Sequence, residues 1–211
     1  MAVIKPFYSD QIIIIDVGTG NIRSVHKAFQ SLGANVTSSY DSERILSAGK
    51  IVLPGVGAFG DFMSRLSRLH LLGTLREAIT KRIPLLGICV GMQALFDRSR
   101  EMGDHPGLGI LPGAVMPFPD RSGLKIPHTG WNQITVLARS RLFQGMPSLP
   151  YVFFNHAFYC EPQSARDISA KTDYGIQFCS AVENGNIFGV QFHPEKSQGV
   201  GLKILENFIK L

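Results

Sequence analysis

Gly87-Ile88-Cys89-Val90-Gly91 is the most informative stretch of this chain. It follows an apolar run, residues 83–86, and precedes a segment, Met92 to Phe96, whose composition predicts a helix. A cysteine between two nearby glycines at a strand-to-helix junction is typical of a nucleophile elbow, because the sharp turn leaves room only for small flanking residues. The helix that follows favours the thiolate, which is the reactive form of cysteine. On this motif alone, Cys89 is either a catalytic nucleophile or a buried core cysteine.

The residues around this stretch predict alternating strands and helices. Ile12-Ile13-Ile14-Ile15 is a continuous β-branched run, which is typical of a strand covered on both faces. Gly33 predicts the end of a helix that begins near Ile22. This alternation indicates a parallel sheet with right-handed crossovers. In the first half of the chain we predict strands at residues 12–15, 35–38, 51–53 and 85–88, and helices at 22–32, 60–68 and 71–81.

The second half of the chain has a different pattern. Strand-like runs separated by turn residues replace the alternation, and Asn184-Gly185-Asn186 predicts a hairpin between two of them. Leu202, Leu205 and Ile209 recur at helical spacing in a final helix near residues 199–210. We therefore expect an α/β fold with an open, twisted, mostly parallel central sheet flanked by helices, and with additional antiparallel strands. The predicted strands of this half are at 133–137, 151–154, 168–171, 178–183 and 187–192.

Length and composition predict a soluble globular protein. The chain has 211 residues, of which 45% are hydrophobic and 18% are charged. We expect one domain, residues 12–211, preceded by a short extension, residues 1–11. No apolar run approaches the about 20 residues of a membrane span, and the N-terminal segment lacks the long apolar region of a secretory signal. A cytoplasmic location is therefore expected.

Cysteine usage and charge argue against several kinds of site. The cysteines at 89, 160 and 179 are too few and too scattered for a disulfide framework, and no C-x-x-C or H-x-x-x-H motif supports a metal site. Gly18 and Gly20 lack the third glycine of a dinucleotide-binding fingerprint. The net charge of +5 comes without basic runs interleaved with aromatics, so it predicts a solvated basic surface rather than a nucleic-acid groove.

His193-Pro194-Glu195 follows the last predicted strand and supplies the groups that a cysteine nucleophile needs. A residue before proline is held extended, and residues two apart in an extended chain face the same side. The Glu195 carboxylate is therefore expected to orient the His193 imidazole, which acts as the base. Alone, this segment is more typical of a turn with surface charge. Together with the elbow it predicts a Cys-His-Glu triad at the carboxyl ends of strands, where open α/β sheets place their sites.

Acyl transfer also requires donors for the tetrahedral oxyanion. The backbone N–H of Val90, directly after the nucleophile, is one candidate. The loop that begins at Pro54 ends a neighbouring strand and offers a second donor at Val56 or Gly57. Because its glycines permit positive φ, a peptide in this loop is able to flip between two orientations.

These motifs resemble the class I glutamine amidotransferases with a Cys-His-Glu triad. Within them, the chain is most similar to the glutaminase subunits of imidazole glycerol phosphate synthases, from histidine biosynthesis. The resemblance covers nearly the whole chain, and its third segment is the discriminating one, because most other amidotransferases do not share it. The segments that carry it are PGVGAF (54–59), GICVGMQ (87–93), KIPHTGWN (125–132) and GVQFHPEKS (189–197).

The resemblance implies a role for particular residues of this chain. It makes Cys89 the nucleophile, His193 the base and Glu195 its orienter. Gln93 and Glu101 match positions that hold the substrate glutamine, where a carboxylate suits the substrate ammonium. The substrate carboxylate would be held by the backbone around three residues, namely Gly57, Ala157 and Phe158. The family usually has a hydroxyl residue at the position of Ala157, so a role for that hydroxyl in glutamine binding would be lost here.

The resemblance also implies a partner. The substrate is glutamine, and the partner is a (β/α)8-barrel cyclase subunit that receives ammonia in a heterodimer; no cofactor is required. Trp131 is expected to dock into that subunit, although core packing is its alternative role. Lys196 is expected to pair with a partner carboxylate, or else to be a solvated surface lysine. His128 and His156 are expected to be structural rather than catalytic.

Three other functions remain open from the residues. The chain could be an amidotransferase subunit for a different synthase, including one of a paralogous pathway. A stand-alone cysteine hydrolase or peptidase would act without a partner and would not need Gln93 or Glu101. A non-enzymatic interaction subunit would have no need to keep all three triad groups.

Overall fold

A computed structural model describes residues 8–120, 124–137 and 140–211. The first half of the chain alternates strands with helices, and the second half consists mainly of strands. The helices are α1 (Ile22–Ser31), α2 (Ser42–Leu46), α3 (Phe59–Arg68), α4 (Leu71–Thr80), α5 (Val90–Gln93) and α6 (Gln198–Ile209). Two 3₁₀ segments lie at Ala165–Asp167 and Pro194–Lys196. The strands are β1 (Tyr8–Ile15), β2 (Ala34–Ser39), β3 (Lys50–Gly55), β4 (Leu85–Cys89), β5 (Phe96–Ser99), β6 (His105–Pro106), β7 (Leu111–Pro117), β8 (His128–Gln133), β9 (Thr135–Val136), β10 (Tyr151–His156), β11 (Phe158–Pro162), β12 (Ile168–Asp173), β13 (Gln177–Asn184) and β14 (Ile187–Val190).

The main sheet confirms the predicted fold class. Its strands follow the order β2-β1-β3-β4-β14-β13-β11-β7-β5-β6, with β12 and β9 paired beside β13. The neighbours from β2 to β14 in this order are parallel, whereas β13 pairs antiparallel with β14, β11 and β12. The strands β8 and β10 form a separate antiparallel pair. The result is a mostly parallel centre with an antiparallel second half.

The central strands are buried and mostly apolar, which is typical of a parallel sheet with helices on both faces. Every residue of β3 and β4 is buried, as expected for parallel strands inside an α/β protein. Helix α3 buries Phe59, Phe62, Met63 and Leu66, which recur at the spacing of one helix face. In the part of the chain that the structure describes, no helix combines the length and the apolar character needed to cross a membrane.

The structure corrects several predicted boundaries. The first strand begins at Tyr8, and Tyr8 pairs with Ala34 of β2, so residues 8–11 of the predicted extension belong to the sheet. The helix predicted at residues 92–96 is wrong beyond Gln93: α5 spans Val90–Gln93, and β5 begins at Phe96. Helix propensity is overridden here because β5 pairs with β7 on one side and with β6, the edge strand, on the other.

The strand predicted at residues 133–137 is also wrong in extent. The chain forms β8 at His128–Gln133 and only a two-residue β9 at Thr135–Val136. Residue propensity did not predict β8, because it contains Gly130 and Asn132 and both residue types are rare in strands. This difference matters for the site, since β8 and its partner β10 carry Trp131 and His156.

Candidate active site

Cys89 is the last residue of β4 and has a strained backbone. Its φ of 55° and ψ of −112° lie in a region that residues with a side chain rarely adopt. The strand therefore turns sharply into α5, which is a single turn of helix, Val90–Gln93. Such strain at a strand-to-helix turn is the geometry of a nucleophile elbow and projects the side chain above the sheet.

The flanking glycines are required by close backbone contacts. A Cβ at Gly91 would lie 1.8 Å from the Leu53 oxygen of β3. A Cβ at Gly87 would lie 2.7 Å from the Gly91 oxygen. Both distances are far below normal van der Waals contact, so any larger residue would displace backbone at the centre of the sheet. The prediction that these positions must be small is confirmed.

His193 and Glu195 meet as predicted, but by a different route. Nδ1 of His193 donates to Oε1 of Glu195 at 2.9 Å, and the two side chains are only 3% and 1% exposed. His193 is extended as predicted. Glu195 lies in the 3₁₀ segment Pro194–Lys196, so the prediction that the chain stays extended as far as Glu195 is wrong. The tight turn, rather than strand alternation, brings the carboxylate to the imidazole.

One backbone hydrogen bond and two bonds of the Ser197 hydroxyl hold this turn against β10. The His193 N–H donates to the Phe153 oxygen at 2.9 Å. The buried Ser197 hydroxyl donates to the His193 oxygen at 2.7 Å and accepts from the Phe153 N–H at 3.0 Å. The position of the imidazole is thus set by three bonds that do not involve its ring.

The surroundings of His193 favour its protonated form. Burial acts to lower the pKa of His193, but the Cys89 sulfur and the Glu195 carboxylate outweigh burial and raise that pKa to about 10. Nε2, the ring nitrogen away from Glu195, has no hydrogen-bond partner of ordinary geometry among the described residues. It is therefore the nitrogen available to exchange a proton with the thiol, as a cysteine nucleophile and its base require.

One cavity brings together the residues predicted for chemistry and substrate binding. It measures about 230 Å³, enough space for a molecule the size of a single amino acid. Glu195 contacts His193 but does not line the cavity. Pro127, Asn155 and His156 line the cavity as well and were not predicted. The predicted lining residues are Val56, Gly57, Cys89, Val90, Gln93, Glu101, Ala157, Phe158 and His193.

Two polar side chains of the cavity already have partners in the protein. One Glu101 oxygen accepts from the N–H of Phe59 at 2.7 Å, so it caps the first turn of α3. Gln93 is buried, and its Nε2 donates to the Phe158 oxygen and to Oε1 of Gln191, each at 3.2 Å. Both residues are therefore fixed in place before any ligand binds.

The loop after β3 reaches Cys89 because β3 and β4 are in register. Gly55 is the direct neighbour of Cys89 across the parallel pair, which places Val56 and Gly57 on the cavity wall. Gly57 has a φ of 89°, which glycine adopts without strain. The loop thus has the position and the backbone freedom expected of an oxyanion-binding segment.

His128 and His156 form a buried hydrogen-bonded pair. Nδ1 of His128 lies 3.0 Å from Nε2 of His156, and Nδ1 of His156 lies 2.8 Å from the Phe158 oxygen. The His128 ring stacks on Tyr174 at 3.9 Å between centroids. Burial lowers the pKa of His128 to about 4 and that of His156 to about 3, so both rings are neutral near pH 7.

Trp131 and Lys196 share an aromatic neighbour on the surface. Trp131 is 47% exposed, so core packing is not its role. Its ring meets Phe153 edge-on at 6.2 Å, opposite it in the β8–β10 pair. The Lys196 ammonium lies 5.7 Å from the same Phe153 ring. The two residues predicted to contact a partner therefore lie around one side chain, next to the 3₁₀ segment Pro194–Lys196.

Gln191 was missed by the reasoning from sequence. It is fully buried, and its Nε2 donates to the Cys89 sulfur at 3.7 Å. The available signal was its place two residues before His193 and directly after the strand that pairs with β4. A polar residue in that central position needs a buried partner.

Comparison with known proteins agrees with this geometry. The family model described as glutamine amidotransferase class-I matches residues 13–211. The chain is 47% identical over 197 residues to an imidazole glycerol phosphate synthase subunit HisH of Aquifex aeolicus, covering 93% of this chain and 94% of that protein. It is 46% identical over 202 residues to the protein of the same name from Syntrophotalea carbinolica, covering 93% and 98%.

Solved structures share the fold at low sequence identity. One is described as the structure of PurLQS from Thermotoga maritima, with a TM-score of 0.74, 18% identity and coverage of 95% of this chain and 98% of that chain. Another, described as a glutamine amidotransferase, has a TM-score of 0.74 at 16% identity, covering 94% and 97%. This chain belongs to the class-I glutamine amidotransferase family, in the group of imidazole glycerol phosphate synthase subunits named HisH.

Proposed function

We propose that this chain hydrolyses glutamine to glutamate and ammonia and passes the ammonia to a cyclase subunit that makes imidazole glycerol phosphate in histidine biosynthesis. The observation that carries this proposal is the cavity in which a strained elbow cysteine and the His193–Glu195 pair meet. The relatives named as subunits of imidazole glycerol phosphate synthase support the choice of synthase.

The proposed reaction runs through an acyl-enzyme. The Cys89 thiolate attacks the side-chain carboxamide of glutamine, forming a carbon–sulfur bond. The N–H of Val90 and an N–H of the loop at Val56 and Gly57 bind the oxyanion. The His193 imidazolium then protonates the departing nitrogen, the carbon–nitrogen bond breaks, and a glutamyl thioester and ammonia result. Water, deprotonated by His193, cleaves the thioester to glutamate and regenerates the thiol.

The wall of the cavity supplies the groups that would hold the rest of glutamine. Glu101 would bind the ammonium through the oxygen that does not cap α3. The backbone of Gly57, Ala157 and Phe158 would hold the carboxylate. Because Ala157 has no hydroxyl, this cradle uses backbone N–H groups only.

The product requires a partner that consumes it directly. Ammonia released into neutral water becomes ammonium, which is not a nucleophile. The synthase should therefore bind over the site, so that ammonia passes to it without entering bulk water. We assign that role to a (β/α)8-barrel cyclase subunit in a heterodimer, docked on Trp131 and Lys196, with the reaction in the cytoplasm and no nucleic acid, membrane or cofactor involved. The exposed Trp131 beside the catalytic turn supports this docking face.

The test uses the chain mixed with the barrel subunit and its ribotide substrate. Cys89→Ala should abolish glutamine-dependent turnover while turnover with added ammonium salts remains. Cys179→Ala is the matched control, because this buried thiol has a pKa raised by burial to about 12 and lies outside the cavity. Glutamine-dependent activity in the Cys89→Ala complex would reject the nucleophile.

The same mixture tests the choice of partner. Glutamate release should be slow for the chain alone and should rise when the barrel subunit and its ligand are present. If the isolated chain hydrolysed glutamine as fast as the complex, control by the partner would be wrong. If the barrel subunit left the rate unchanged, a different synthase would be the partner.

A further inference from the structure

The Gln191 side chain contacts the Cys89 sulfur, yet the reaction proposed above gives it no role. It is fully buried at the end of the central strand region, and its backbone N–H donates to the Ser180 oxygen at 2.9 Å. Its side-chain Nε2 donates to the Cys89 sulfur at 3.7 Å. A buried amide is not placed against a thiol by packing alone, because each of its polar atoms needs a partner.

The orientation of this amide is determined by its neighbour. Gln93 directs its Nε2 to two acceptors, the Phe158 oxygen and Oε1 of Gln191. A backbone oxygen only accepts, so the Gln93 amide cannot be reversed without losing that bond. Since Gln93 then donates to Gln191, Gln191 must present its oxygen to Gln93 and its N–H to the sulfur.

The Phe158 oxygen is itself held from the other side. The His156 ring donates to it through Nδ1, and Nε2 of His156 accepts from Nδ1 of neutral His128. Nε2 of His128 in turn lies 3.3 Å from the Asn132 amide nitrogen, which donates to it. The carbonyl that orients Gln93 is thus the end of a hydrogen-bond chain that begins next to the exposed Trp131.

We propose that Gln191 is a positioning residue for the Cys89 nucleophile, oriented by Gln93 and the Phe158 carbonyl so that its N–H always points at the sulfur. A donor aimed at the sulfur stabilises the thiolate more than the thiol, because hydrogen bonds to charged acceptors are the stronger ones. It also restricts the sulfur to one position at the cavity wall. The proposal rests on the proposed function for its place in catalysis, but the reactivity of Cys89 tests it separately.

The experiment measures alkylation of Cys89 by iodoacetamide across pH, in the full chain, with mass spectrometry to locate the modified residue. Gln191→Met keeps the shape but removes the donor. We expect its rate at pH 7 to fall about tenfold and the midpoint of its pH profile to rise by about one unit, which corresponds to about 1.4 kcal/mol. Gln30→Met, on the exposed face of α1, is the control and should leave both unchanged.

A second variant tests the orientation. Gln93→Met removes the group that turns the Gln191 amide, although no hydrogen bond joins Gln93 to Cys89 among the described residues. It should slow alkylation as well, and the double variant should react no more slowly than Gln191→Met alone, because both changes break one chain. Gln93→Met also keeps the test available if Gln191→Met does not fold.

The other titratable groups near the sulfur are the same in all variants. They are His193 with Glu195 behind it, Glu101 and His156 on the cavity wall, and the buried thiol of Cys160. A change in the pH profile of Gln191→Met therefore results from the loss of the Gln191 amide donor. An unchanged profile in Gln191→Met, or additive effects in the double variant, would overturn the proposal even if the complex hydrolyses glutamine. Absence of glutamine hydrolysis in the wild-type complex would instead reject the proposed function and leave the alkylation result to stand.

Discussion

Gly201 of α6 offers the sharpest test of how the fold positions the catalytic pair. A Cβ at this residue would lie 1.8 Å from the Pro194 oxygen, whereas ordinary contact begins at 3.4 Å. Accommodating alanine thus requires a shift of 3.4 − 1.8 = 1.6 Å between α6 and Pro194. The Ser197 Cβ lies 2.9 Å from the same point, so the alanine methyl group is crowded by Ser197 as well. We therefore expect Gly201→Ala to move the segment between His193 and Glu195.

Gly201→Ala should lower both the activity of the complex and the stability of this chain. A displacement of about 1 Å at a catalytic group costs about 100-fold in rate, so we expect at least that loss in glutamine-dependent turnover of the complex. Overpacking costs about 1–3 kcal/mol in the free energy of unfolding, partly offset by the gain of up to about 1 kcal/mol from alanine in a helix. Turnover with ammonium salts should not change, because the change lies in this chain and not in the synthase.

Gly199→Ala is the matched control in the same helix. A Cβ at Gly199 has no atom within 4 Å, so this variant should keep full activity and gain up to about 1 kcal/mol in stability. Urea unfolding of the two variants and glutamate release by their complexes give the comparison. If Gly201→Ala behaved like Gly199→Ala in both assays, the inference that packing of α6 sets the position of His193 would be refuted.

Three further variants probe the site and its surroundings. Burial lowers the pKa of His156 to about 3, below the ordinary 6.5 of the unfolded chain, so the unfolded state takes up the proton first as pH falls. The wild type should therefore lose about 2 kcal/mol of stability from this residue between pH 7 and pH 5, and urea unfolding of His156→Gln should show a correspondingly smaller loss; equal losses would contradict this. Glu195→Gln should lower glutamine-dependent kcat by about 10³- to 10⁴-fold, because the amide no longer stabilises the imidazolium, and a loss under tenfold in steady-state kinetics would argue against the triad. Trp131→Ala should weaken binding of the barrel subunit by at least about 2 kcal/mol in titration calorimetry, and unchanged affinity would remove Trp131 from the interface.

The elbow and its surroundings were predictable because local sterics dictate them. Gly87 and Gly91 are small since backbone atoms occupy the space where their side chains would be. The alternation of strands and helices in the first half follows from hydrophobic runs that only a covered parallel sheet accommodates. These features depend on neighbours in sequence or on a repeated pattern, both of which a single chain reveals.

The features that were not predictable depend on contacts between distant residues. The strand β5 forms at Phe96–Ser99 because β7 is beside it, and β8 forms at a sequence poor in strand-forming residues because β10 pairs with it. Nothing local distinguishes the 3₁₀ turn at Glu195 from an extended segment. Gln191 looks like any residue of a strand end until the fold places it against the Cys89 sulfur.

The central position of β4 has a consequence for motion in this protein. Its amide protons are shared with parallel partners on both sides, so they should exchange with solvent only when the whole molecule unfolds. Cys89 thus belongs to the most slowly exchanging region. Glu101, in contrast, follows β5 near the sheet edge, where local opening requires less free energy. Any opening that admits a ligand is therefore expected at the rim of the cavity rather than at the strand that carries the sulfur.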